Sequence, residues 1–223
     1  MKIEKDKWDP DYCDAVGDIE RIHRDKEFAQ KMGLKDVIAP GMYVCSLIGE
    51  NGWGHLNPRS FGIKFVEMVY NGDDLRISPE SRVIRNQTER RVISAVRNVM
   101  DPNSIRFPYL GNKTVVDENR VEAYKRSVGN NEESNGRCPD LYVACMGVPA
   151  MLRIAKKCVR NGGVLHAAQS YEMSGQVNIG DVVEVHTSEP REERGIGILD
   201  MVWVSKDDDV IALGESWFKI RSD

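Results

Sequence analysis

The strongest constraint on this 223-residue chain is that it runs twice through one plan. Tyr12, Val16 and Gly17 recur 112 positions later as Tyr124, Val128 and Gly129. Pro40-Gly41-Met42-Tyr43-Val44 pairs with Pro139-Asp140-Leu141-Tyr142-Val143, and Glu67-Met68 before Gly72-Asp73 pairs with Glu172-Met173 before Gly180-Asp181. Each match is short and the offsets differ, as expected if loops have changed length. Three matches in the same order point to a duplicated unit.

Each unit has the same element order. The stretches ending at Gly17 and Gly129 read as short helices stopped by a glycine, and residues 25–33 as a helix capped by Asp25 and ended by Gly33. "PGMYVCSLIGE" is apolar nearly all round, the pattern of a buried helix. Its counterpart, residues 141–163, reads as one long apolar helix disturbed at Pro149 and ended by Gly162-Gly163. Val- and Ile-rich strand runs follow in both halves, broken by turns at residues 71–74, 101–104, 179–181 and 206–209. A buried helix followed by consecutive antiparallel strands predicts an α+β fold in which a sheet wraps a helix, with the two units packed side by side.

Composition narrows the function classes. A net charge of −4 lacks the basic surplus of a nucleic-acid binder. No run of 18 apolar residues predicts a membrane span, and the charged N-terminus has no apolar signal-peptide core, so a cytoplasmic location is expected. The five cysteines form no C-x-x-C pair and no zinc-spaced cluster with histidine. They read as free, buried thiols, and no metal site is expected. No P-loop, dinucleotide fingerprint or nucleophile elbow occurs.

On spacing alone, Asp18 and His23 could be a helix-cap aspartate and a surface histidine. The larger pattern is more specific. Gly17-Asp18, Ile22-His23, Asp25, Ala29 and Gly33, followed by Ile38-Ala39-Pro40-Gly41-Met42, resembles the signature of the (R)-specific enoyl-CoA hydratases, the MaoC-like dehydratases. The resemblance is tight over residues 12–49 and is one of element order elsewhere. It implies a double hotdog: two lobes in one chain, each an antiparallel sheet around a long central helix. Residues 1–105 would form the first lobe, with the catalytic motif, and 106–223 a degenerate, non-catalytic second lobe. Under the 112-residue shift Asp18 falls on Asn130 and His23 on Asn135, neither able to act as acid or base. His166 and His186 lie in strand-like runs far downstream and are left out of the expected site.

What the resemblance implies chemically is a hydro-lyase of fatty-acid metabolism, adding or removing water across C2=C3 of an enoyl or 3-hydroxyacyl thioester. Asp18 and His23 would manage the water and its proton, with their division of labour open. The Gly41 N–H, at a helix start, would bind the thioester oxygen. No cofactor is expected beyond the substrate itself, a coenzyme A or acyl-carrier-protein thioester. Homo-oligomers of the two-lobed chain are the expected assembly. The alternatives are a hotdog thioesterase, or a non-catalytic thioester-binding subunit of a hetero-oligomeric dehydratase. Four positions depart from the family: Glu20-Arg21 stands where Asn-Pro is common, Val16 replaces a small polar residue, and Gly49 replaces a small hydroxyl residue. His55 and Trp53 read as a loop and a core residue. Lys156, Lys157 and Arg160 with Arg153, like Arg85, Arg90 and Arg91, are either solvated or aimed at coenzyme A phosphates.

Overall fold

The computed structural model of the protein describes residues 1–51, 56–78, 83–96, 110–133, 135–158 and 162–221. Trp53, His55, Arg160, the turn expected at 101–104 and the expected lobe boundary at 105/106 lie outside the described residues. An entry of short helical turns covers α1 (Lys5–Lys7), Trp8–Tyr12 and α2 (Cys13–Val16). A 3₁₀ turn (Arg21–His23), α3 (Lys26–Lys31) and the buried helix α4 (Gly41–Glu50) follow. Strands β1 (Ser60–Phe65), β2 (Arg76–Ser78), β3 (Val83–Arg85) and β4 (Arg91–Val96) complete the first half. The second half comprises β5 (Leu110–Val115), α5 (Glu118–Val128), α6 (Asp140–Cys145), α7 (Gly147–Lys157) and β6 (Gly163–Met173). It continues with β7 (Val182–Thr187), β8 (Arg191–Glu193), β9 (Ile196–Ser205) and β10 (Val210–Arg221).

The strands form one antiparallel sheet in the order β2-β3-β4-β1-β6-β10-β9-β7-β5, with β8 added to β9. The first-half strands stay together, and the halves join where β1 pairs with β6, from Ser60↔Glu172 to Lys64↔Ala168. Helix α4 buries seven consecutive residues, Met42 to Ile48, because elements surround it on every side. This is the double hotdog architecture.

The repeat is visible at atomic detail. Gly17 and Gly129 end their helices in the left-handed region at φ/ψ 74/27° and 73/21°. The next residues, Asp18 and Asn130, donate their N–H groups back to the carbonyls of Cys13 and Lys125, closing the same helix-terminating loop. Pro40 and Pro139 precede their buried helices with φ/ψ −57/138° and −58/134°. Tyr43, Tyr12, Tyr124 and Tyr142 follow one another in edge-on and tilted contacts with centroids 5.1, 5.9 and 5.2 Å apart, so two repeated pairs make a ladder across the seam. The repeated tyrosines thus lock the halves together.

Three expectations change. The second long helix is broken at Met146, between α6 and α7, rather than at Pro149. Pro149 cannot donate to the Cys145 carbonyl four residues earlier, so the interruption falls upstream of the proline itself. Gly163 does not end a helix: α7 stops at Lys157, and Gly163 begins β6. Four cysteines are buried free thiols, but Cys158 is exposed at the end of α7. Among the described residues no helix is long and apolar enough to cross a membrane.

Tight packing between α7 and the sheet yields a stability test. A Cβ on Gly147 would stand 2.6 Å from Trp203 Cζ2 and 3.0 Å from Met201 Cε. Both residues are fully buried and have little room to yield. Gly147→Ala gains about 1 kcal/mol of helix propensity but overpacks the core, and a net loss of about 1–2 kcal/mol is expected in urea denaturation.

Candidate active site

The loop after α2 brings Asp18, Glu20 and His23 to one wall of a cavity. The left-handed Gly17 turns the chain out of α2, and Asp18 Oδ1 then accepts the Glu20 N–H at 3.0 Å. Glu20 Oε1 accepts the Arg21 N–H at 3.1 Å and caps the 3₁₀ turn that carries His23. Arg21 turns to Asp25 and to the face of Phe28, with Cζ 4.3 Å from the ring centroid. Asp25 caps α3 as expected, accepting the Phe28 N–H at 2.9 Å. The Trp8 indole N–H donates to the His23 carbonyl at 3.3 Å, tying the turn to the buried entry helices.

The expected pair is brought together. His23 Nε2 lies 3.5 Å from Asp18 Oδ2, and the residues are 7 % and 5 % exposed. On the other edge of the ring, Nδ1 is 2.7 Å from the Ile38 carbonyl oxygen. A carbonyl only accepts, so Nδ1 carries a proton, and in the neutral ring Nε2 presents a lone pair toward Asp18. With the ring neutral, two acceptors 3.5 Å apart face each other, an arrangement that suits a water molecule donating one hydrogen to each.

Gly41 lines the same cavity as the first residue of α4. Its N–H has no acceptor within the helix, and the positive end of the helix dipole lies there. A Cβ at this position would meet the Phe65 ring at 2.9 Å, so glycine is required by packing against β1 as well as by any approach of a ligand. The cavity, about 250 Å³, is otherwise walled mainly by apolar side chains of both halves, among them Ile22, Val44, Met151 and Val164. The dyad belongs to the first half, and α7, β6 and β10 of the second half close the opposite wall.

Four ionisable residues of the lining were not expected from the sequence, Glu67 and Lys219 together with two whose ionisation the site shifts. His166, on β6, lines the cavity with its Nε2 3.0 Å from Ser216 Oγ and its ring 5.0 Å from that of Phe65. Burial pushes its imidazole down to about 4, against the pull of the Asp18 charge, so it is neutral at pH 7. The sequence signal was the repeat itself: β6 pairs with β1 across the seam, so a residue distant in the chain reaches the first-half site. His186, by contrast, faces Glu184 at 3.5 Å on β7. The second residue is Glu20, 2 % exposed, whose carboxyl is raised by burial and partly restored by Lys156, with Nζ 3.4 Å from Oε2. Lys156, expected to be solvated or aimed at coenzyme A phosphates, is engaged with Glu20 in this ion pair.

His166 makes stability depend on pH. The unfolded chain takes up this proton near pH 6.5, the folded chain only near 4. Between these values the unfolded state holds more protons, so stability falls as pH drops through the window and is recovered above it. His166→Gln should lose this component. Urea denaturation at pH 7 and pH 4.5 is expected to show the wild type losing about 2 kcal/mol more than the variant.

The equivalent place in the second half is filled differently. Asn130 Oδ1 accepts the Glu132 N–H at 2.9 Å, as Asp18 accepts that of Glu20, but its amide donates to Glu50. Asp140 stands where the first half has Gly41, with Arg137 at 3.3 Å and Arg59 at 3.7 Å. A carboxylate at that helix start would repel a developing oxyanion. Among the described residues no three His, Cys, Asp or Glu side chains cluster as metal ligands.

Fold and site together define a double hotdog protein with an Asp–His pair at the seam of its halves. Residues 10–101 match the family model described as MaoC like domain, so this part of the chain is similar to MaoC-like dehydratases. No curated protein sequence matches the chain. Solved structures share the fold over nearly the whole length. A MaoC-like dehydratase superposes with a TM-score of 0.70 at 10% identity, covering 98% of this chain and 95% of its own. A putative MaoC domain protein dehydratase from Chloroflexus aurantiacus J-10-fl gives 0.66 at 12% identity, covering 100% and 93%. A conserved hypothetical protein from Mycobacterium tuberculosis, described as having a double hotdog fold, gives 0.66 at 12% identity, covering 99% and 93%.

Proposed function

We propose that the protein is a hydro-lyase acting across C2=C3 of an enoyl or 3-hydroxyacyl thioester. The observation that carries this reading is the pair of facing acceptors, Asp18 Oδ2 and His23 Nε2, 3.5 Å apart on the wall of an apolar cavity. A water donating to both has its oxygen lone pair free to attack C3. As the C–O bond forms, the water proton passes to His23 Nε2, and Asp18 stabilises the imidazolium. Electrons from C2=C3 move onto the thioester oxygen, which the Gly41 N–H meets at the start of α4. The imidazolium then returns a proton to C2, so one water is added and the dyad is regenerated. The reverse sequence dehydrates.

The thioester itself acidifies C2, so these steps need no group beyond the carrier, coenzyme A or an acyl carrier protein. The second half would complete the acyl pocket without a dyad of its own. Crotonyl-CoA tests the reading. Loss of the enoyl absorbance without release of thiol is the expected result. Release of free thiol would identify a thioesterase instead, and turnover only after a second protein is added would identify a subunit of a larger dehydratase.

A further inference from the structure

Glu20 touches both members of the dyad through its backbone. Its N–H donates to Asp18 Oδ1 at 3.0 Å, and its carbonyl accepts the His23 N–H at 3.3 Å. Its side chain fixes the same turn, Oε1 accepting the Arg21 N–H at 3.1 Å. The other oxygen, Oε2, is buried without a hydrogen-bond donor and stands 3.4 Å from Lys156 Nζ, on α7 of the second half. Lys156 is not among the described residues that line the cavity, so its contact with the site runs through Glu20. In the second half Asn130 holds the Glu132 N–H as Asp18 holds that of Glu20, but Glu132 is exposed and no dyad accompanies it.

We infer that Glu20 and Lys156 form a charge-compensated brace through which the second half positions the Asp18–His23 dyad. This deepens the hydro-lyase reading and rests on it. Lys156 is a positioning residue, since it acts on the dyad only through Glu20. The need for it is electrostatic. Asp18 and Glu20 set two carboxylates on one buried loop, and burial raises the Glu20 carboxyl, with Asp18 adding to the rise. Lys156, and to a lesser degree His23, oppose it. Without the lysine, Glu20 must either take a proton or repel Asp18 and draw a proton onto His23. Either outcome disturbs the two facing acceptors. Among the described residues, the groups facing Glu20 are Asp18 and His23 on its own loop and Lys156 on α7. Arg21 turns its guanidinium to Asp25, and His166 on β6 lines the same cavity as a neutral ring.

Removing the cation has a sign that does not depend on which group titrates, because every nearby carboxylate or imidazole then holds its proton to higher pH. Lys156→Met should lower kcat for crotonyl-CoA at least about tenfold through misplacement of the dyad. KM should stay within about threefold, since Lys156 does not line the cavity. The acid limb of the kcat/KM profile should move to higher pH. Glu20→Gln keeps an acceptor for the Arg21 N–H but leaves the cation unbalanced, so its acid limb should move to lower pH. Combining the two should restore the limb, and Lys156→Arg should leave it in place. A merely structural loss would not give opposite shifts that cancel. Should Lys156→Met fail to fold, as judged by thermal melting, Lys156→Gln removes the charge while its amide can still donate to Oε2. Carboxyl-carbon NMR of Glu20 in the protein without substrate separates this inference from the reaction, and its titration should move to higher pH in Lys156→Met. That shift with no turnover by the wild type overturns the hydro-lyase reading and keeps the brace. Turnover with an unmoved Glu20 titration, with acid limbs that do not move in opposite directions, or with kcat unchanged in Lys156→Met overturns the brace and keeps the hydro-lyase. No turnover with an unmoved titration overturns both.

Discussion

Asp18→Asn and His23→Ala are each expected to lower kcat for crotonyl-CoA hydration by about 10²–10⁴-fold. Both variants should remain folded, because the supporting contacts are largely backbone ones. In Asp18→Asn the side-chain carbonyl can still accept the Glu20 N–H. In His23→Ala the Trp8 indole still has the residue-23 carbonyl to bind. The asparagine amide brings a donor to face His23 Nε2, so a water there can no longer donate to both sides. The double variant should be only slightly slower than the worse single one, since the two groups act on one water as a unit. A decay assay at the enoyl absorbance with thermal melting on the same samples measures both quantities. Full activity in either single variant would refute the dyad.

Gly41→Ala is expected to lower kcat/KM by about 10²–10³-fold, through displacement rather than loss of a donor. Alanine keeps the N–H, but its Cβ would meet the Phe65 ring at 2.9 Å and must push either α4 or β1 out of position. A shift of the helix start misaligns the N–H proposed to meet the thioester oxygen. A double-mutant cycle with Phe65→Ala isolates this cause. With the ring removed, adding Gly41→Ala should cost less than about tenfold. An undiminished cost in that background would mean that the methyl obstructs the ligand directly.

Much of the fold was legible in the residues because repetition constrains more than propensity does. Glycines at 17 and 129, prolines at 40 and 139 and the apolar run of α4 each have a local physical reason to stop, start or bury a helix, and each element lies where the pattern put it. The interruption of the second long helix was displaced from Pro149 to Met146 because a proline disrupts the turn before it. Strand β8, three exposed residues added to β9, had no periodicity to announce it.

The site divides along the same line. Asp18, His23 and Gly41 lie within 24 positions of one another, and their spacing around a helix stop, a short turn and a helix start is written in the chain itself. Local sequence therefore determined the loop and the candidate dyad. Tertiary structure alone decided what surrounds them. His166 enters because β1 and β6 pair across the seam, a contact that joins residues about 100 positions apart. Lys156 meets Glu20 because α7 of the second half packs over the first-half loop. Long-range pairing sets burial, and burial decides whether a carboxyl or an imidazole is an ordinary surface group or a shifted one. The charges of these residues could be read from the sequence, while their surroundings required the fold.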